Sequence, residues 1–187
     1  MADVFISFIH EEAGYAKAVQ AFLLQIFETN VKPFLSSDRF QVFAGEKWLD
    51  RIMDELQSAK IVLLMLSQKS VQRPWVNFEA GAAWTRNIVT IPVCYGGMSK
   101  GALPKPYSSL QGVDLAIYRD DEYLARSVAH HLQLDEPITR MVAAVSALGG
   151  PEYQKKCERV AHAYETFEET LEKLRTDPTG ASTDPGW

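Results

Sequence analysis

Residues 61–66 read IVLLML, a run of six apolar residues between Lys60 and Ser67. A run of this length is typical of a strand buried on both faces, and it is far shorter than the roughly 18 residues of a membrane-spanning helix. Four further short runs predict strands of the same kind: residues 4–9 (VFISFI), 31–35 (VKPFL), 88–93 (IVTIPV) and 113–118 (VDLAIY). The sequence therefore predicts five strands.

The segments between these strands carry apolar residues at helical spacing, as at Tyr15, Val19 and Phe22. Pro74 suits the first position of a helix that continues over residues 75–86, because proline lacks the N–H that would stay unpaired there. Alternating strands and helices with continuous apolar strands predict a parallel sheet covered by helices on both faces. In such sheets, sites lie beyond the carboxyl ends of the strands, so we expect one in the loops after Ile9, Leu35 and Leu66.

Composition narrows the classes of protein that fit. The chain has 187 residues, 47% of them hydrophobic and 23% charged, with a net charge of −5. These values exclude disorder of the whole chain and a strongly basic nucleic-acid-binding surface. The two cysteines, Cys94 and Cys157, form neither a disulfide scaffold nor a zinc motif. The N-terminus lacks the basic segment of a secretory signal, so we expect a cytoplasmic protein that binds neither nucleic acid nor membrane.

The pattern changes after Asp135, which predicts a first domain over residues 1–134 and a helical extension over 135–175. A short apolar stripe comes first: Ile138, Met141, Val142, Val145 and Leu148. A heptad-like seam follows: Tyr153, Cys157, Val160, Tyr164, Phe167, Leu171 and Leu174. The seam favours either a helical hairpin with the 138–148 segment or a helix that joins copies of the chain, and the two are compatible. The composition of residues 176–187 predicts a disordered tail.

Motif searches exclude several kinds of catalytic site. The chain has no GxxxxGK[ST] loop, no GxGxxG, no GxSxG and no HExxH. The four histidines are not spaced as metal ligands, so we expect no metal site. His10 is a binding candidate because it follows the first predicted strand at the carboxyl edge of the sheet.

The segment WVNFEAGAAW, residues 75–84, places one carboxylate among apolar and small residues. Trp75 and Glu79 are four positions apart and share a helix face. An indole beside a carboxylate suits a ligand in which a flat ring is attached to a sugar, because the indole stacks on the ring and the carboxylate opposes positive charge on the sugar. The alternative from residue type alone is a surface glutamate beside a packed tryptophan.

Four segments together resemble a TIR (Toll/interleukin-1 receptor) domain of the bacterial kind, over residues 1–134. They are residues 3–8 (DVFISF), residues 36–38 with 44–48 (SSD, then AGEKW), Trp75 with Glu79 after the 61–66 strand, and residues 88–93. The family has a flavodoxin-like five-stranded parallel sheet, which agrees with the predicted pattern. Three departures are Arg73 where the family often has serine, Ala44 where it often has proline, and Ile9-His10 where NAD⁺-cleaving members often have basic residues.

The resemblance implies cleavage of the nicotinamide–ribose bond of NAD⁺, with Glu79 as the catalytic residue and NAD⁺ as substrate rather than cofactor. It places Trp75 near the nicotinamide. It further implies a pocket from two segments, one after the first strand and one from the second strand's end into the following loop: Ser7, Phe8, Ile9 and His10, then Asp38, Gly45, Lys47 and Trp48. Implied partners are further copies of the chain, through TIR–TIR contacts and the 153–174 helix, and a separate effector in antiphage defence.

Two other functions stay open on the sequence. A TIR domain can act as a non-catalytic adaptor, with Glu79 on its surface. A nucleoside 2-deoxyribosyltransferase-like enzyme is also an α/β protein, and it would use Glu79 as a covalent nucleophile. The product of NAD⁺ cleavage also stays open between ADP-ribose and a cyclic isomer, because the acceptor of the ribosyl group is not visible in the sequence.

Overall fold

A computed structural model describes residues 2–36, 48–144 and 150–177, without the side chains of Trp48 and Ala144. Five parallel strands form one sheet in the order β2-β1-β3-β4-β5. Their bounds are β1 Val4–Ser7, β2 Pro33–Leu35, β3 Ile61–Leu66, β4 Val89–Cys94 and β5 Val113–Asp114. The prediction of a five-stranded parallel sheet with helices on both faces is therefore confirmed.

Six helices are described: α1 Ala13–Phe27, α2 Trp48–Ser58, α3 Pro74–Thr85, α4 Asp120–Leu132, α5 Arg140–Ala144 and α6 Pro151–Thr176. The sheet separates the apolar core into two clusters, one on each face, and helices pack against both. The first cluster joins α1, α4 and α6, and the second joins α2, α3 and the segment after β4. Successive side chains of β1 alternate between the clusters, so Val4 and Ile6 lie in the first and Phe5 lies in the second.

Strand β5 is shorter than the run of residues 113–118 predicts. Asp114 ends it, because its Oδ1 accepts the Ala116 N–H at 3.0 Å and its carbonyl accepts the Ile117 N–H at 2.9 Å. The chain turns here, which leaves Ile117 and Tyr118 exposed rather than in the sheet. The prediction of a strand is correct, but its length is wrong.

The heptad-like seam packs inside the chain. From Cys157 onward every seam residue is buried, whereas Tyr153 is 43% exposed. The main partner is α1: the Phe22 ring stacks on Phe167 at 4.5 Å between centroids and lies 5.4 Å from Tyr164. The two helices approach closely, since a Cβ added at Gly14 would lie 2.6 Å from a methyl carbon of Leu174. Most of the seam thus completes the core of its own chain.

Helix α5 also packs against α6, as the hairpin interpretation expects, but its buried residue differs from the predicted stripe. Arg140 forms ion pairs with Asp121 at 2.5 Å and with Glu168 at 2.6 Å. With the helix anchored in this way, Ala143 faces the core and Met141 and Val142 are 71% and 42% exposed. The burial predicted for Met141 and Val142 is therefore wrong. Val145, Leu148 and residues 178–187 of the predicted tail lie outside the described residues.

Within the described ranges, no helix is both long enough and apolar enough to cross a membrane.

Candidate functional site

The candidate site lies at the carboxyl edge of the sheet, where two strand ends meet helix α3. Ser7 is the last residue of β1, and Ser36 directly follows β2. Because neighbouring parallel strands end at the same edge, the two serines come together although they are distant in sequence. Both side chains are buried.

Helix α3 brings Glu79 to this edge. Pro74 occupies the start of the helix, after Arg73 in an extended conformation with φ −83° and ψ 124°. The residues that face the sheet recur at helical spacing: Val76, Glu79, Ala80 and Ala83. Glu79 therefore stands in the buried stripe of its helix and has 0% exposed surface. The alternative of a surface glutamate is wrong.

The two oxygens of the Glu79 carboxyl group have different surroundings. Oε2 accepts a hydrogen bond from the Ser7 hydroxyl at 2.5 Å. Oε1 is also buried but has no hydrogen-bond partner among the described residues. A buried carboxylate oxygen without a partner lowers stability, and such groups occur at catalytic sites.

Burial raises the pKa of Glu79 from its ordinary value of 4.5 to about 7. Low polarity disfavours the charged carboxylate, while the hydrogen bond from Ser7 and, to smaller extents, the nearby polar groups of Trp75 and Ser36 lower the pKa and limit the rise. A carboxyl group with this pKa is part ionised near neutral pH, as groups in catalytic sites often are.

Aromatic rings extend from Glu79 toward the surface along α3. Trp75 is half-buried, and its ring lies 5.4 Å from that of Phe78 at an interplanar angle of 30°. Phe78 is 46% exposed. The predicted pairing of indole and carboxylate on one helix face is thus present, and the Trp75 side chain is among the groups that lower the pKa of Glu79.

The remaining predicted site residues separate into three groups. Ile9 lies in the same core cluster as α3, whereas the side chain of Phe8 lies in the cluster on the opposite face of the sheet, away from Glu79. His10 is exposed and begins a single 3-10 turn, His10–Glu12. Asp38, Gly45 and Lys47 lie outside the described residues, as does the side chain of Trp48, the first residue of α2.

The structure adds residues that the sequence analysis did not select. Ser36 is one, although its place immediately after a predicted strand was a signal for it. A second buried carboxylate, Glu12, lies on the α1 side of the same edge, where Oε2 accepts the Ser67 hydroxyl at 2.7 Å and the Tyr95 hydroxyl at 2.5 Å. Ser67 in turn starts the loop that leads into α3, so this network supports the helix that carries Glu79.

Charged groups near the site are paired at the surface. Arg73, which precedes α3, forms an ion pair with Glu11 at 2.6 Å, and both side chains are about half exposed. Across the ranges that the structure describes, no group of three or more His, Cys, Asp or Glu side chains is arranged to hold a metal ion.

Comparisons with known proteins agree with the fold. A family model described as "TIR domain" matches residues 4–133. Among solved structures, the chain is similar to a metazoan TIR-STING receptor from C. gigas in complex with 2′,3′-cGAMP, with 22% sequence identity and a TM-score of 0.51. The alignment covers 78% of this chain and 44% of that one, so it spans less than half of the receptor. No curated protein sequence matches the chain.

Proposed function

Because the chain belongs to the TIR domain family, we propose that it is an enzyme that cleaves the nicotinamide–ribose bond of NAD⁺, with Glu79 as its catalytic residue. The observation that carries the proposal is the buried carboxyl group of Glu79, with one oxygen bonded to Ser7 and the other without a partner among the described residues. It stands beside the Trp75 indole, at the edge where parallel α/β sheets bind ligands.

The chemistry of NAD⁺ fits a site with one carboxylate. Nicotinamide leaves the ribose as a neutral molecule, so the reaction needs no general acid to protonate the leaving group. Positive charge develops on the ribose as the bond breaks, and a fixed negative charge close to it lowers the energy of that transition state. The ionised form of Glu79 supplies this charge, and the Trp75 ring offers a face for the nicotinamide.

The burial of Glu79 sets a condition on the reaction. The carboxyl group has 0% exposed surface, so NAD⁺ reaches it only after neighbouring groups move. The resemblance to the family implies that the site is completed when several copies assemble through TIR–TIR contacts. We propose that the same assembly opens the way to Glu79. The free chain is then expected to be less active than the assembled one.

The product depends on the group that attacks the ribose. Attack by water gives ADP-ribose, and attack by an atom of the same molecule gives a cyclic isomer. The proposal includes a cytoplasmic location and a role in antiphage defence, either by depletion of NAD⁺ or by production of a signal for a separate effector.

The test is incubation of the purified chain with NAD⁺ beside the Glu79→Gln variant, with products separated by chromatography and mass spectrometry. Nicotinamide released only by the wild type supports the proposal, and the mass of the second product distinguishes hydrolysis from cyclisation. The same assay is run on protein brought together on a multivalent support. Absence of nicotinamide in both states would favour the adaptor, and cleavage of deoxyribonucleosides alone would favour the transferase.

A further inference from the structure

Ser7 is a polar residue at a position where strand β1 otherwise buries apolar side chains. On the same face of the strand, Phe5 is 0% and Ile9 is 6% exposed, and both lie in the second core cluster. Ser7 itself has no exposed surface. A hydroxyl group in such a place costs stability unless it forms a hydrogen bond, and here its partner is the Oε2 atom of Glu79 at 2.5 Å.

We infer that Ser7 is a positioning residue for Glu79: its hydroxyl fixes Oε2 and leaves Oε1 as the oxygen that meets the substrate. This inference rests on the proposed function and assigns to Ser7 a role different from the substrate contact that the family resemblance implies. Burial of the Ser7 side chain and its hydrogen bond to Glu79 both favour the positioning role, because the hydroxyl proton already has an acceptor.

The hydrogen bond also controls the charge of Glu79. A hydroxyl that donates to a carboxylate stabilises the ionised form, which is the form that the proposed reaction needs. The groups that face the carboxyl group are Ser7 from β1, Ser36 after β2 and Trp75 from α3. Within the described parts of the chain, no charged side chain contributes to the shift in the pKa of Glu79. These polar side chains, Ser7 most of all, therefore oppose the rise in the pKa that burial causes.

The experiment compares the wild type with Ser7→Ala, which removes the hydroxyl, and Ser7→Thr, which keeps it. Cys94→Ala is a matched control, because it also removes one heavy atom from a fully buried residue at a strand end in the same core cluster. Two measurements are made against pH. The first gives kcat and KM for NAD⁺ cleavage. The second is the ¹³C chemical shift of the Glu79 carboxyl carbon, which reports ionisation without any need for activity.

We expect Ser7→Ala to raise the midpoints of the kcat profile and of the ¹³C titration by about one pH unit. On the acidic side of the profile this corresponds to a loss of kcat of about tenfold. KM should change little, Ser7→Thr should restore the wild-type midpoint, and Cys94→Ala should retain it.

An unchanged carboxyl titration in Ser7→Ala would overturn the inference. A raised KM with an unchanged midpoint would also overturn it and return Ser7 to substrate binding. A shifted carboxyl titration in a chain that never cleaves NAD⁺ would support the Ser7–Glu79 interaction and count against the proposed function. The two failures are thus distinguishable.

Discussion

The carboxyl edge of the sheet holds two buried glutamates, one on each face, and each accepts a hydrogen bond from a serine at the end of a strand. Glu79 accepts it from Ser7, the last residue of β1, and Glu12 accepts it from Ser67, which follows β3. They differ in the number of hydroxyl groups that donate to the carboxylate. Oε2 of Glu12 has a second donor in Tyr95, whereas Oε1 of Glu79 has no partner within the described residues.

Under the proposed function, this difference separates a carboxylate that stabilises the fold from one that acts on the substrate. The Glu12 network ties α1, β3 and β4 together, and its Ser67 hydroxyl also accepts the backbone N–H groups of Lys69 and Ser70, each at 3.1 Å. Among the residues that the structure describes, the polar side chains near the Glu79 carboxyl group come from β1, the end of β2 and its own helix. A fully satisfied buried network adds rigidity, while an incomplete one lowers stability and leaves capacity for a ligand.

The largest expected effect comes from replacing each glutamate by glutamine and measuring NAD⁺ cleavage. Glu79→Gln should lower kcat about 100- to 1000-fold, since it removes the charge that opposes the ribosyl cation. Glu12→Gln should retain most of the activity in the folded fraction, because Glu12 lies on the other face of the sheet. Equal losses of kcat in the two variants would contradict the different roles given to Glu79 and Glu12.

The next effect concerns stability against pH. The pKa of Glu79 is raised to about 7 in the folded chain from an ordinary 4.5, so the folded state holds the proton more tightly than the unfolded state. The contribution of Glu79 to stability is therefore greatest below about pH 4.5 and falls as pH rises to about 7, by an amount on the order of 3 kcal/mol.

Thermal unfolding of the wild type and Glu79→Gln between pH 4 and pH 8 measures this effect. The glutamine side chain of the variant does not titrate. The Tm of the variant should therefore rise relative to that of the wild type between about pH 4.5 and 7, and the difference should level off above that range. A difference that stays constant with pH would contradict the raised pKa.

A smaller effect is expected when Tyr95→Phe removes one donor from Glu12. Tyr95 is 2% exposed, and its ring stays packed 4.4 Å from that of Tyr15. Loss of the hydrogen bond to the carboxyl group should lower the free energy of unfolding by about 1–3 kcal/mol, measured by urea denaturation. Activity per folded molecule should persist. If Tyr95→Phe instead abolished cleavage at full stability, Glu12 would belong to the reaction.

The smallest effect is expected for Ser36→Ala. Among the three side chains that lower the pKa of Glu79, Ser36 contributes least and Ser7 most. The midpoint of the pH profile should therefore move upward by less than in Ser7→Ala. A larger shift than in Ser7→Ala would mean that Ser36, and not Ser7, holds the carboxyl group.

The sequence predicted much of the fold because its signals are local. Continuous apolar runs predicted all five strands, and their alternation with helical segments predicted that the strands run parallel. Errors occur where a few side chains decide the local path: Asp114 ends β5 early, and the ion pairs of Arg140 turn Met141 and Val142 outward. The seam was recognised, but its packing against α1 depends on contacts between distant residues.

For the site, the sequence by itself determined that Trp75 and Glu79 share one face of a helix and that strand ends would lie near them. Helical spacing and strand order are enough for both conclusions. The resemblance to the family had already placed Ser7 in the pocket. Only the tertiary structure decided that Glu79 faces the core, that the Ser7 hydroxyl donates to it with Ser36 nearby, and that Phe8 lies on the opposite face of the sheet. The physical reason is that burial and hydrogen bonding join residues as far apart as Ser7 and Glu79, and no local pattern records such a pairing.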